Sequence, residues 1–471
     1  MVAGSAEVST LPVPTFQLSE RATPASSVAV GVGAGAGAAR GRRRRAAGVA
    51  FALAAMLLGL VGPAGRPSST LADGGTGLPD LTFYGRGYGH GVGMSQHGAR
   101  GRALAGQLAP QILAHYYAKT TLGLRSTATP VRVLVLTGFA ATAATPLAIV
   151  GLGTPGWTID GIATTFPANA RLTLAPTAPR ATTWTLRVTS STGSSLAVRT
   201  VSGDVFVRPV TTSSLLQLVS KATSTNIYRG FFRVHLTTTA MVINQLNLDT
   251  YLRGVVPLEM PSSWPVEALK AQAIAARSYA VYRLHPTTGS YDVYDDTRSQ
   301  VYRGRTSETA AGNAAVKATA GQVLLSGTAV ANALFHSADG GWTENNENVF
   351  VSSSGAIVAG PVSYLRGSSD RAPDGSSYDK ASPYATWKTA TYTAAALSAM
   401  FARDSRTAVG PLLAIDLSRR GVSGRLISVT LTGGLGSRTV SGDVFLAVFN
   451  ATKPAADPPI RDTLFDTAPI P

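Results

Sequence analysis

One carboxyl in this chain has mostly apolar neighbours. Glu259 is flanked by Val255, Val256, Leu258, Met260 and Trp264. Partial desolvation by such side chains disfavours the ionised form and raises a carboxyl's pKa. A helix starting near Pro265 pulls the other way through its dipole. A carboxylic acid that keeps its proton near neutrality can pass it to a leaving oxygen. Glu259 lies in YLRGVVPLEMPSSWPVEALKAQAIAARSYA, residues 251–280, whose other polar candidates are Lys270, Gln272 and Arg277. Two more clusters, far away in sequence, carry side chains of catalytic type. GRGYGHGVGMSQHG, residues 85–98, holds His90, Ser95, Gln96 and His97. DTRSQVYRG at 296–304 and ALFHSADGGWTENNENVF at 333–350 supply His336, Ser337, Thr343 and Glu344.

Several chemistries are excluded by pattern. The glycines at 85, 87, 89, 91 and 93 are two apart, so no G-x-G-x-x-G phosphate loop is present in that stretch. GMSQHG is not the G-x-S-x-G of a nucleophile elbow. SYDK at 377–380 matches S-x-x-K but sits in a Pro/Asp/Gly/Ser-rich loop without companion motifs, a chance match. No H-E-x-x-H occurs among the six histidines, and a metal-dependent hydrolase would need His90, His97 or His336 to converge with carboxylates. There is no cysteine, hence no disulfide, thiolate metal site or cysteine nucleophile.

The elements that must position these residues are legible in outline. The alternating glycines read as an extended strand with one bare backbone face, the other carrying Arg86, Tyr88, His90, Val92 and Met94. A single helix candidate follows over 94–120, with Ile112, Leu113, Tyr116 and Tyr117 at helical spacing. Residues 131–248 are rich in Thr, Val and Leu, with short alternating runs and frequent Gly, Pro and Asn, which predicts a β-rich subdomain. SSWPVEALKAQAIAARSYAVYRL is the strongest helix, with Pro265 at its start and Val266, Leu269, Ala273, Ala276 and Ala280 as its buried stripe. Another helix is expected near AAALSAMFARD. RTVSGDVF occurs at 199–206 and again at 438–445. Ser-Gly-Asp between β-type residues fits a tight hairpin, so both copies are expected to be similar β elements.

The expected class is α+β: a mixed helix and strand core with an additional β-rich subdomain. The expected divisions are a leader at 1–75, a glycine-rich element plus helix at 76–130, the β-rich subdomain at 131–248, a catalytic region at 249–460 and a tail at 461–471. Of 471 residues, 45% are hydrophobic and the net charge is +16, a balance that favours polyanionic partners. Without an RNP-like motif, zinc finger or dense basic-aromatic stripe, nucleic acid is not an expected partner. In the leader a basic run precedes an apolar stretch at 49–61 and then small residues, the order of a secretory signal. Export to the cell wall or exterior is expected, with residues 46–64 as an alternative uncleaved membrane anchor.

The second cluster resembles the signature of the SpoIID/LytB family, named for a stage II sporulation protein and an amidase enhancer. Gly254-Val-Val-Pro-Leu-Glu259-Met-Pro261 matches G-V-V-x-x-E-M-P. Glu267-Ala-Leu-Lys-Ala-Gln-Ala273 and Ala275-Ala-Arg277-Ser-Tyr279 match E-A-L-K-A-Q-A and A-A-R-x-Y. Residues 296–304 resemble D-x-x-x-Q-x-Y-x-G, and 337–346 resemble S-x-x-G-G-x-T-E-x-N. Residues 87–98 are similar to G-x-G-H-G-V-G-M-S-Q-x-G, which in sporulation members lies near the C-terminus and here precedes the E-M-P helix. The matches together span about 83–387.

The resemblance implies a peptidoglycan lytic transglycosylase that uses Glu259 as its lone acid and base. The muramic acid's own C6 hydroxyl would attack C1 and leave 1,6-anhydro ends. The alternative it implies is a non-catalytic module that binds glycan strands and stimulates a cell-wall amidase. His90, Ser95, Gln96, Arg277, Ser337, Thr343 and Glu344 are the expected substrate contacts. Their plainer roles are a packed histidine at 90, a strand-to-helix turn at 95 and 96, an ion pair at 277 and a self-capped loop at 337–344. The bare glycine backbone is expected to floor the glycan groove with His90 projecting inward. Some family members hold zinc through cysteine and histidine. This chain lacks that cysteine, and no cofactor is expected.

Overall fold

The computed structural model describes residues 78–285 and 288–470. The expected signal segment at 49–61 and the alternative anchor at 46–64 lie outside the described residues. Among the described residues no helix is long and apolar enough to cross a membrane.

The β-rich region forms as its alternation predicts. Pro130–Phe139, Leu147–Leu152, Arg171–Pro176, Thr183–Thr189, Ser195–Pro209, Phe231–Leu236 and Ala240–Asn247 belong to one sheet system, almost wholly antiparallel. Along Thr183–Thr189 the alternate residues Trp184, Leu186 and Val188 are buried, and Leu172 and Leu174 do the same in the neighbouring strand. One face is thus core and the other solvent. The sheet is tied to the helical region by a parallel partner, Val293–Tyr294, beside Pro130–Phe139.

The helices follow in chain order. α1 (Gln96–Leu104) and α2 (Ala109–Tyr116) replace the single expected helix. Gly106 at φ +86° and Pro110 in the first turn of α2 enforce the break. α3 (Leu248–Arg253), α4 (Val256–Glu259) and α5 (Val266–Tyr282) come next, then α6 (Ala310–Ala318), α7 (Asn346–Val349), α8 (Ala394–Phe401) and α9 (Gly442–Thr452). α1, α2, α3, α4 and α6 all pack on α5. The expected single stripe is therefore wrong in kind. Residues 268, 269 and 271–280 are buried all round, while Val266 is exposed. Alanine at 268, 271, 273, 275, 276 and 280 lets neighbours close on several sides at once.

The glycine stretch is not a strand. Leu81–Gly85 is extended in a ladder between Trp387–Tyr392 and Phe465–Asp466, and Met94–Ser95 forms a two-residue pair with Phe335–His336, but the glycines between them are not strand. Gly87, Gly89, Gly91 and Gly93 all have positive φ. A period of two arises here from alternating left-handed residues, which only glycine adopts cheaply. The bare backbone meets this chain itself. A Cβ on Gly93 would sit 2.0 Å from the Leu334 carbonyl oxygen, and one on Gly91 2.3 Å from Arg425 Nε. The glycines let the loop thread between residues 334–338 and Arg425, so the expected glycan floor is absent.

Two further expectations are corrected. The first RTVSGDVF lies inside Ser195–Pro209 and continues as strand, because Phe231–Leu236 pairs beyond its glycine from Gly203 to Val207. In the second copy the partner strand begins at Ser428, opposite Ser441, so the ladder stops there. Ser441 instead accepts from Val444 N at 3.1 Å and caps α9. Identical octapeptides thus become strand and strand-to-helix junction. Residues 461–466 are not a tail. Phe465 is buried, its ring 5.4 Å from Phe83 in a second hydrophobic cluster with Phe445, Phe449 and Phe401. Asp462 forms a fully buried ion pair with Arg425 at 2.6 Å.

Candidate active site

Glu259 is the last residue of α4 and is 6% exposed. Its Oε2 accepts from Gln96 Nε2 at 3.3 Å, across 163 residues of sequence. Gln96 opens α1, whose N-cap Ser95 accepts from Gly98 N at 3.0 Å. Met94–Ser95 pairs in parallel with Phe335–His336, and His97 N donates to the Ser337 carbonyl at 2.9 Å. The fold therefore gathers the three sequence clusters around one carboxyl. Trp264 turns back onto α1, with its ring 4.8 Å from His97 and 5.4 Å from the Arg100 guanidinium.

Burial pushes the Glu259 carboxyl from its ordinary 4.5 up to about 7. Hydrogen bonds from Gln96 and the Val301 backbone oppose that rise without cancelling it. Near neutral pH the group exchanges its proton readily, which suits an acid that must later act as base. Glu259 lies beneath the surface. A cleft of about 480 Å³ nearby in sequence is lined by Arg253 and Asn247 and does not include it.

The remaining expected site residues divide. His90 packs against His336, ring centroids 5.3 Å apart, and its Nδ1 accepts from Val92 N at 3.0 Å. His336 Nδ1 meets the Val92 carbonyl at 3.2 Å. Burial lowers both, His90 to about 4 and His336 well below its ordinary value, so the pair is neutral. Ser337 Oγ and His97 Nε2 are buried without a hydrogen-bond partner among the described residues. Ser95 serves as the cap already described.

Arg277, expected to touch substrate or Glu259, is fully buried elsewhere in the helical core. It pairs with Asp249 at 2.7 Å and donates to the carbonyls of Val316 and Gln322, binding α5 to α3 and to the segment after α6. An ion pair at 277 is thus what forms, and Glu267 on the same helix holds Lys270 and accepts from Ala109 N. Glu344, expected to bind sugar, has a carboxylate saturated by the chain: Asn345 N, Asn348 Nδ2, Val422 N and both Ser423 donors. Thr343 is paired with Ser368. Both are fasteners for the 340–346 loop.

Sequence reasoning passed over the groups that clamp this assembly. Asp370 takes Arg102 at 2.7 Å and Tyr116 at 2.8 Å. Asp339, buried beside Asp370 and Asp379, is driven well above the usual carboxylate range by desolvation and those two charges. These partners are 254 and 268 residues apart, and no local pattern announces them. Among the described residues no three histidine or carboxylate side chains converge as a metal would require, so the route through His90, His97 and His336 finds no ligand set.

Residues 237–325 match the family model described as stage II sporulation protein. The chain is similar to an uncharacterized protein of Brachyspira hyodysenteriae, 40% identical over 114 residues, 24% of this chain and 31% of that one. It is 36% identical over 148 residues to the amidase enhancer of Bacillus subtilis, 30% of this chain and 20% of the relative. Against stage II sporulation protein D of the same organism the identity is 35% over 127 residues, 23% and 37% of the two chains. The chain thus spans between a fifth and about two fifths of these relatives' lengths.

Proposed function

We propose that this chain, whose residues 237–325 match the stage II sporulation protein model and which is similar to an amidase enhancer and a stage II sporulation protein D, is an exported lytic transglycosylase of peptidoglycan glycan strands. The observation that carries the reading is the buried Glu259 carboxyl, raised to about 7 and oriented by Gln96. In the proposed reaction Glu259 donates its proton to the bridging oxygen as the C1–O bond breaks. The C6 hydroxyl of the same muramic acid attacks C1, and its proton returns to the Glu259 carboxylate. Atoms balance with one carboxyl and no water, since nucleophile and electrophile share one sugar ring.

The test is mass spectrometry of amidase-treated glycan strands after incubation with the protein. The expected products carry 1,6-anhydro ends, and Glu259→Gln lowers their rate by at least about 10²-fold, the usual contribution of a general acid. Undiminished cleavage by the variant, or reducing ends in place of anhydro ends, overturns the assignment. The low exposure of Glu259 and the likeness to an amidase enhancer favour a second reading, a glycan-binding partner of a wall amidase. That reading predicts no anhydro ends and amidase stimulation untouched by Glu259→Gln.

A further inference from the structure

α3 ends at Arg253, six residues before Glu259, and the Arg253 side chain lines the cleft of about 480 Å³. Two other arginines share that wall and are already matched. Arg208 forks onto Asp160 at 2.8 and 2.9 Å and lies over the Phe231 ring at 4.1 Å. Arg229 pairs with Glu308 at 2.6 Å. Arg253 makes no side-chain hydrogen bond or ion pair among the described residues, and its Nε is buried. Among those residues the terminal nitrogens have no protein acceptor, and their planar fork suits a carboxylate.

The rest of the cleft is made for a body less polar than an inorganic anion. Phe231, Pro209 and Leu246 give it apolar walls, and the amides of Gln245 and Asn247 offer paired donors and acceptors. A volume in this range holds a ligand of a few residues. Alternating small aliphatic groups and amides that end in a carboxylate describe a short peptide.

We propose that this cleft binds a short peptide by its free carboxylate, with Arg253 as the anchoring group. The identification of that peptide with the stem of a wall strand rests on the function proposed above. Six residues of chain reach no further than about 20 Å, so a strand whose sugar lies at Glu259 can present its own stem to Arg253. The cleft then makes the enzyme sensitive to whether a strand still carries its peptides.

Titration of the full chain by calorimetry or NMR tests this, with acetyl-trialanine free acid as probe, its C-terminal amide, and inorganic phosphate. The free acid is expected to bind saturably. Amidation of the probe, or Arg253→Gln in the protein, is expected to weaken binding at least tenfold, with Arg253→Lys intermediate. Equal binding of acid and amide overturns the proposal, as does full binding by Arg253→Gln, phosphate matching the peptide, or no binding of the free acid at millimolar concentration. Glu259→Gln leaves peptide binding unchanged, so undiminished glycan cleavage by that variant, with peptide binding retained, condemns the transglycosylase reading alone.

Discussion

At the scale of single residues, Glu259 sets a pH dependence whose sign follows from its environment. Its folded pKa of about 7 exceeds the ordinary 4.5, so between those values the native state holds more protons than the unfolded chain. Stability from this group is therefore present below about pH 4.5, falls as pH rises towards 7, and is flat above. The total is about 3 kcal/mol. Glu259→Gln abolishes the ionisable group, and denaturant midpoints should show the variant equal to the parent at pH 4 and more stable at pH 8. A parent curve that does not fall across this window shows that the carboxyl is not desolvated. Anhydro-product formation should decline on the alkaline side of pH 7, where the acid has lost its proton. The apolar flanks of Glu259 are visible in the sequence, but whether desolvation or the dipole of the following helix wins is settled only by the depth of burial in the fold. Gln96 was also named, but the contact itself was not legible, because nothing in a linear string joins positions 96 and 259. Arg277 shows the opposite failure. A charge on an alanine-rich helix reads as an exposed or functional group, and the partners that bury it arrive from three other segments.

At the scale of elements, two left-handed glycines, one in the glycine loop and one between α1 and α2, separate two costs that usually occur together. Gly106 and Gly93 both have positive φ, +86° and +73°. A Cβ on Gly106 meets nothing within 4 Å, whereas on Gly93 it collides with the Leu334 carbonyl. Gly106→Ala should cost about 1–2 kcal/mol, the left-handed penalty alone. Gly93→Ala should cost several times that, read as the difference in thermal midpoint. Equal shifts would mean that the loop does not thread where described. Period-two glycines read as a strand because extended backbone and alternating left-handed turns share that period, and only packing distinguishes them. The repeated octapeptide permits a similar comparison. Ser441→Ala should cost about 1 kcal/mol through the lost α9 cap. Ser202→Ala, on an exposed strand position, should stay within about 0.5 kcal/mol. Local sequence is identical in the two copies, so the difference is owed wholly to where each partner strand ends.

For the molecule as a whole, the second hydrophobic cluster is assembled from both extremities of the described chain. Phe83 comes from one, Phe465 from the other, and Phe445 and Phe449 from the helix between. Asp462→Ala strands Arg425 without its ion pair in a fully buried setting, and about 3–5 kcal/mol of destabilisation is expected in chemical denaturation. A loss below about 1 kcal/mol would show that the terminal segment is dispensable. The polar, proline-rich end of the sequence concealed this role, because its aromatic anchor is a single phenylalanine.

Tyr84 faces Asp466 and Gly85 faces Phe465 across an antiparallel ladder, so the chain leaves that ladder heading back towards Leu81. A circular permutant is therefore within reach. A short glycine-serine bridge from 470 to 78 would close the ring, and a cut at the exposed turn around Gly193 would reopen it. In such a polypeptide the histidine-bearing glycine loop would follow the glutamate helix in the gene, yet Gln96 would still meet Glu259. The order of the two motifs along the polypeptide can thus be reversed without separating them in space.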